Sequence, residues 1–245
     1  MSIKTFELIS TTENGIELIS YIALPENASD DNPVAGILVA PEWWGVVEHP
    51  KTITERLAKA GYAAVAMDVY GEGKLTSDAA MANMWMEQVL EDPDMLMARC
   101  RLILNDFSDQ LAVDGDKLAA IGYCFGGKVV LDMAREGMPL KAVATFHGDL
   151  TAKQPADKNF KAKVLVTHGR EDSMVTMDAI ENLKKELDTA EVDYTIDVYD
   201  DAKHGFTNPN ADERAAKNDI DLGYNETAAK QSWDNLLEFM KANLG

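Results

Sequence analysis

Residues 119–134 read Ala-Ala-Ile-Gly-Tyr-Cys-Phe-Gly-Gly-Lys-Val-Val-Leu-Asp-Met-Ala. An apolar run stops at Gly122, and Cys124 stands two residues on. Gly126 and Gly127 follow, and then Val129, Val130, Leu131, Met133 and Ala134 recur at helical spacing. That order predicts a strand, a tight turn and a helix. Gly122, Cys124 and Gly126 fit the G-x-S-x-G spacing of a nucleophile elbow, with Cys in place of Ser. Glycine on either side of the nucleophile lets strand and helix approach closely. The thiol then stands at a helix start, where the dipole and the unbonded N–H groups favour a thiolate. The next amide, that of Phe125, is in the position that receives an oxyanion.

The same letters support a rival. Gly122, four residues, then Gly127-Lys128 fit the G-x-x-x-x-G-K of a phosphate-binding loop. The next residue should then carry a hydroxyl for magnesium, and here it is Val129. A buried Cys in a glycine-rich turn is the bland alternative. The rest of the chain has to decide.

A chain of 245 residues can bury a large core and fits one α/β domain spanning 1–245. Its net charge of −19 argues against nucleic acid and anionic membrane as partners. No run of 18 apolar residues is present, and the N-terminus has no apolar signal core. The two cysteines, Cys100 and Cys124, form no disulfide framework or zinc pattern, so a reduced, cytoplasmic location is the expectation. No metal-ligand spacing occurs.

In chain order, strands are expected near 3–11 and 16–24 around the hairpin signal Glu13-Asn14-Gly15. Val34 to Ala40 reads as a buried strand, ending in Pro41-Glu42-Trp43-Trp44-Gly45. A helix near 50–60 stops at Gly61, and Tyr62 to Met67 is the next strand. After a loop from Asp68 to Thr76, a Met-rich helix is expected near 77–90. A second helix, capped by Asp92-Pro93, runs to about 110. Its stripe Leu96, Cys100, Ile103, Phe107 and Leu111 makes Cys100 a packing residue. Asp114-Gly115-Asp116 reads as a turn into the strand before Cys124. Strands then end at His147-Gly148 and His168-Gly169. A helix near 176–189, a strand at 194–199 and a long closing helix bearing Tyr224, Trp233, Leu236, Leu237 and Met240 complete the chain. Alternating strand and helix predicts a doubly wound, mostly parallel sheet with an N-terminal β-hairpin.

A Cys nucleophile needs a base, and the base needs an orienting acid. In α/β-hydrolases the chain order is nucleophile, acid, histidine. Asp172 follows one strand end and His204, in His204-Gly205-Phe206, follows the next. Glu171, Asp200 and Asp201 compete for the acid role, but the turn position favours Asp172. His147 and His168 fit the order poorly and are expected to be strand-end histidines bonded to backbone. His49 is expected at the surface or at a pocket rim. Glu42 sits at the carboxyl edge of a buried strand, where open α/β sheets place ligands.

These segments resemble the dienelactone hydrolase family of α/β-hydrolases. The resemblance is carried by Pro41 to Gly45, Gly122 to Gly127, Gly169-Arg170-Glu171-Asp172 and His204-Gly205-Phe206, and it covers almost the whole chain. It implies a Cys124-His204-Asp172 triad without a cofactor. It implies that Glu42 takes the thiol proton when substrate enters, and that the Trp43 amide joins that of Phe125 in an oxyanion hole. Two positions depart. Well-known members hold a substrate carboxylate with two arginines, where Asn208 and Asp78 stand here, and Asp78 to Met97 contains no Arg or Lys. The expected activity is hydrolysis of a small, uncharged ester or lactone through an acyl-Cys124. The alternatives are a phosphate-loop protein, which ATP binding would reveal, and a non-catalytic binding or redox-sensing relic of the fold, whose thiol would oxidise without ester turnover.

Overall fold

The computed structural model describes residues 2–245. The chain divides into two compact units, Met1–Ala120 and Ile121–Gly245. Eight strands form one sheet in the order β1-β2-β4-β3-β5-β6-β7-β8.

In the first unit, β1 (Ile3–Thr11) and β2 (Glu17–Pro25) pair antiparallel from Ile3↔Pro25 to Thr11↔Glu17. The Asn14-Gly15 signal does close a hairpin, but through a wider loop than a two-residue turn. The Thr12 hydroxyl accepts the Ile16 N–H at 2.9 Å, and Gly15 takes φ +82°. β2 pairs antiparallel with β4 (Ala63–Ala66), and β4 pairs parallel with β3 (Val34–Ala40). α1 (Glu48–Lys59) leads into Gly61, whose φ of +104° favours glycine. α2 (Ala79–Glu91) and α3 (Pro93–Ser108) start on Asp78 and Asp92, whose carboxylates accept the N–H groups of Met81 and Met95. Cys100 is fully buried on α3. A methyl group at Gly36 would stand 2.8 Å from both Leu118 and Phe107, so α3 lies hard against β3.

β5 (Val113–Tyr123) starts earlier than the sequence suggests. Asp114-Gly115-Asp116 is strand and not turn, because pairing along the sheet overrides the local preference of those residues.

In the second unit, β6 (Ala142–Phe146), β7 (Lys163–Gly169) and β8 (Tyr194–Tyr199) pair parallel in that order. α4 (Phe125–Arg135) follows the elbow, and α5 (Met177–Thr189) lies between β7 and β8 in sequence. Buried Arg135 ties α4 to α5: Nε and Nη2 reach the two Glu186 carboxylate oxygens at 2.8 and 3.1 Å, and Nη1 reaches Asp132 at 2.8 Å. α6 (Ala211–Asn218) has no strong signal in the sequence, being short and largely polar. α7 (Glu226–Leu244) begins after Tyr224 and buries Ala228, Ser232, Leu236, Met240 and Leu244. Tyr224 therefore lies outside the expected stripe, and Trp233 and Leu237 sit at its half-buried margin.

Candidate active site

The elbow is built from close contact. Cys124 adopts φ 54°, ψ −118°, a conformation that costs a non-glycine residue about 1–3 kcal/mol. Neighbouring structure holds it there. The Cys124 N–H donates to Phe146 O on β6 at 3.0 Å, and the Gly127 N–H to Cys124 O at 2.9 Å. A methyl group at Gly122 would lie 1.9 Å from Gly126 O, and one at Gly127 would lie 2.3 Å from the Thr145 hydroxyl. Only glycine fits either position. Cys124 is the N-cap of α4, and Phe125 is its first residue, so thiol and amide share the positive end of an eleven-residue helix. The phosphate-loop spacing is met in letters only. Lys128 Nζ is committed to Thr151 O at 2.7 Å and to Asp132 at 2.9 Å.

Asp172 sits in the turn after β7, with its N–H donated to Gly169 O. Its Oδ1 accepts the N–H groups of Met174 and Val175 at 2.9 and 2.8 Å, and its Oδ2 faces His204 Nδ1 at 2.8 Å. Burial raises the carboxyl pKa, but the His204 bond and charge and the Val175 amide outweigh it, so the acid ends below its ordinary value. The two loops are bolted together. Glu171 N–H donates to Ala202 O, and a methyl group at Gly169 would meet that same oxygen at 2.2 Å. Glu171, Asp200 and Asp201 are exposed; Arg170 pairs with Asp200. Asp172 alone of the four acids reaches the imidazole.

His204 is buried, and Gly205, at φ +75°, turns the chain behind it. Burial opposes a charge on the ring. The thiol of Cys124 and the carboxylate of Asp172 more than offset it, raising the imidazole to about 10. Nε2 meets no partner of strict hydrogen-bond geometry among the described residues, yet the Cys124 sulfur acts on the ring both by charge and as a looser hydrogen-bond partner. Thiol, imidazole and carboxylate thus form one electrostatic chain.

The other three histidines are buried. His49, expected at the surface or at a pocket rim, lies on α1 with Nδ1 3.6 Å from the buried carboxylate of Glu42. The sequence offered no sign of this partner, seven residues on and across a loop. His147, expected to be a strand-end histidine bonded to backbone, donates its N–H to Thr167 O and reaches the Thr207 hydroxyl from Nε2, each at 2.9 Å. His168 is buried, and its ring approaches the backbone of Val175, as a strand-end histidine is expected to do. Burial pushes it below the usual imidazole range, which keeps it neutral beside His204. Trp43 and Trp44 pack edge to face at 5.0 Å, and Tyr70 donates its hydroxyl to Trp43 O at 2.9 Å. That fixes the backbone around residue 43.

The two positions lacking arginine have other duties. Asn208 is buried and its Oδ1 accepts the Asn210 N–H; Asp78 caps α2. Arg99, just beyond the segment without basic residues, donates from one nitrogen to Val69 O and Tyr70 O.

A strained Cys124 between strand and helix, with a bonded Asp172–His204 pair on the loops after β7 and β8, sits on an α/β-hydrolase fold. The Dienelactone hydrolase family profile matches residues 18–244, and the chain belongs to that family. It is a hydrolase of the family, with the mixed, mostly parallel sheet the family shares. It is similar to a Salmonella typhimurium protein named "Putative carboxymethylenebutenolidase", 29% identical over 95% of this chain and 85% of that one. A Yersinia pestis protein of the same name is 30% identical over 92% and 84%. Among solved structures, a dienelactone hydrolase-like promiscuous phosphotriesterase from metagenomic libraries aligns over 100% of both chains, with TM-score 0.92 and 31% identity.

Proposed function

We propose that the protein hydrolyses a small, uncharged carboxylic ester or lactone through an acyl-Cys124 intermediate. The observation that carries the reading is the strained Cys124 at the start of α4, electrostatically linked to a His204 that is itself bonded to Asp172. His204 and Asp172 stabilise the thiolate as an imidazolium pair. The thiolate attacks the carbonyl carbon, and the S–C bond forms while the carbonyl electrons move to oxygen. The Phe125 amide and the helix end stabilise that oxyanion, a contribution worth about 3–4 kcal/mol per donor in other hydrolases. When the C–O bond breaks, the imidazolium proton goes to the leaving oxygen. His204 then takes a proton from water, which attacks the thioester and releases acid and thiol.

Family membership supports two further roles: Glu42 as acceptor of the thiol proton and the Trp43 amide as second oxyanion donor. The preference for neutral substrates is supported by how the cations are spent. Lys203 pairs with Asp221, Arg170 with Asp200, Lys128 with Asp132 and Lys74 with Glu72, while Arg99 holds backbone carbonyls. No described arginine stands at 78 or 208, and a buried substrate carboxylate would lack a bidentate partner. Among the described residues, no helix is long and apolar enough to cross a membrane.

The test is a screen of neutral aryl esters, lactones and carboxylated dienelactones, with intact-mass detection of the adduct. Neutral substrates should turn over and leave an acyl group on Cys124. Efficient dienelactone turnover without neutral-ester activity would reject the substrate assignment. Turnover without any Cys124 adduct would reject the mechanism.

A further inference from the structure

One hydrogen bond does not fix an imidazole. The Asp172 bond holds one edge of the His204 ring at Nδ1, yet the ring can still rotate about the Nδ1···Oδ2 line. Proton transfer at Nε2 needs that rotation stopped. The side chain against the face of the ring is His147, with centroids 5.1 Å apart and planes at 62°.

His147 is mounted more firmly than a space-filling core residue needs. It follows β6 with φ +40°, and its N–H donates to Thr167 O on β7 at 2.9 Å. Its ring is fully buried and packs against Phe206 at 5.3 Å and Tyr123 at 6.0 Å. Its Nε2 bonds the Thr207 hydroxyl at 2.9 Å. One side chain therefore touches the last residue of the strand before Cys124 and three residues of the histidine loop: 204, 206 and 207. A phenylalanine would fill much of the same space and make none of the polar contact.

We propose that His147 is a positioning residue for His204, holding the plane of its imidazole and the 204–207 loop through ring contact and the Thr207 hydrogen bond. This deepens the triad reading above and rests on it. His147 exchanges no proton with substrate; it limits how far His204 strays from the line between Asp172 and Cys124. Small displacements of an acid–base group are costly, since about 1 Å is worth up to about 100-fold in rate.

The experiment compares His147→Phe, which keeps a ring, His147→Gln, which can restore a polar contact to Thr207, and Thr207→Val, which removes the hydroxyl. His204→Ala is the control. Each is assayed for kcat and KM on 4-nitrophenyl acetate, for the rate of Cys124 alkylation by iodoacetamide at pH 7, and for thermal midpoint. His147→Phe and Thr207→Val should lose about 10- to 100-fold in kcat and slow alkylation, with KM within about twofold and an unchanged midpoint. His147→Gln should recover part of the loss. Should His147→Phe fail to fold, Thr207→Val, nearly isosteric, decides. Wild-type kcat and alkylation in these variants, beside an inactive His204→Ala, would overturn the inference and leave the triad standing. A rise in KM together with a fallen midpoint would reduce His147 to packing and also overturn it. Activity retained in His204→Ala would instead remove the triad reading on which it rests.

Discussion

Asp172→Asn isolates the acid without moving the turn that carries it. Asn keeps an oxygen for the Met174 and Val175 amides, which now donate to Oδ1 at 2.9 and 2.8 Å. What changes is the 2.8 Å contact with His204 Nδ1, where the acceptor becomes an amide NH2. The charge-assisted bond is lost and the amide favours the wrong tautomer. A hydrogen bond to a charged group contributes about 1.5–3 kcal/mol. At about 1.4 kcal/mol per tenfold, that slows the reaction of Cys124 with iodoacetamide at pH 7 by about 10- to 100-fold. The alkylation rate reads this directly. Turnover should fall further than alkylation, because the flipped ring cannot accept a proton at Nε2. The corresponding change in a serine protease triad costs about 10⁴-fold in kcat. Stability should report the same pair. Asp172 is held below its ordinary value, so its contribution is present above about pH 4 and lost as the pH falls through the depressed value. His204 is raised to about 10, so its contribution is present below about pH 6.5 and lost as the pH climbs through 10. Asp172→Asn should flatten both limbs of the stability–pH curve. An alkylation rate and a kcat both within about twofold of wild type would refute the assignment of Asp172 as the acid.

The remaining predictions concern the elbow and its surroundings. Iodoacetamide on the native protein should label Cys124 and spare fully buried Cys100; mass spectrometry showing the reverse, with activity kept, would remove Cys124 as nucleophile. Gly122→Ala places a methyl group 1.9 Å from Gly126 O, so the elbow must open; denaturant unfolding should show a loss above about 3 kcal/mol, among the large effects of single substitutions. Glu42→Gln removes a carboxylate from its 3.6 Å approach to His49 and should slow pre-steady-state acylation; an unchanged acylation rate would make Glu42 a structural partner of His49 alone.

Much of the architecture was legible because local and global signals agree. Continuous apolar runs marked β3 and β4, Asp92-Pro93 marked the start of α3, and Gly61 marked a helix end with φ +104°. The misreadings share one cause. Asp114-Gly115-Asp116 has turn composition but lies in β5, and α6 has too little apolar surface to signal itself. In both, the deciding interactions come from residues distant in sequence. Propensity read in a short window does not include them.

The same distinction divides the site. The local settings of Cys124, Asp172 and His204 were readable, because each lies in a short motif: an elbow, a strand-end turn, a glycine-backed loop. Pairs that form between residues distant in sequence or across a loop were not. His147 bonds Thr207 sixty residues away, and Arg135 grips Glu186 fifty-one residues away. His49 faces Glu42 from the first turns of α1, a spacing shared by innumerable pairs that never meet. Each supporting histidine also had a plausible ordinary reading, since a lone His after a strand is commonly a satisfied backbone donor. The sequence is informative about reacting groups because chemistry constrains their spacing to a few patterns. It is nearly silent about their supports, because any polar side chain delivered to the right place by the fold serves. The chain's distinctive behaviour should therefore lie in the supports. Asn208 occupies a buried position with its oxygen bound to Asn210 N–H, and Asp78 is spent as a helix cap. Placing an arginine at 208 alone would add a buried charge without a built partner, a change that costs stability before it confers carboxylate binding. An arginine at 208 alone should therefore lower stability without giving turnover of a carboxylated substrate.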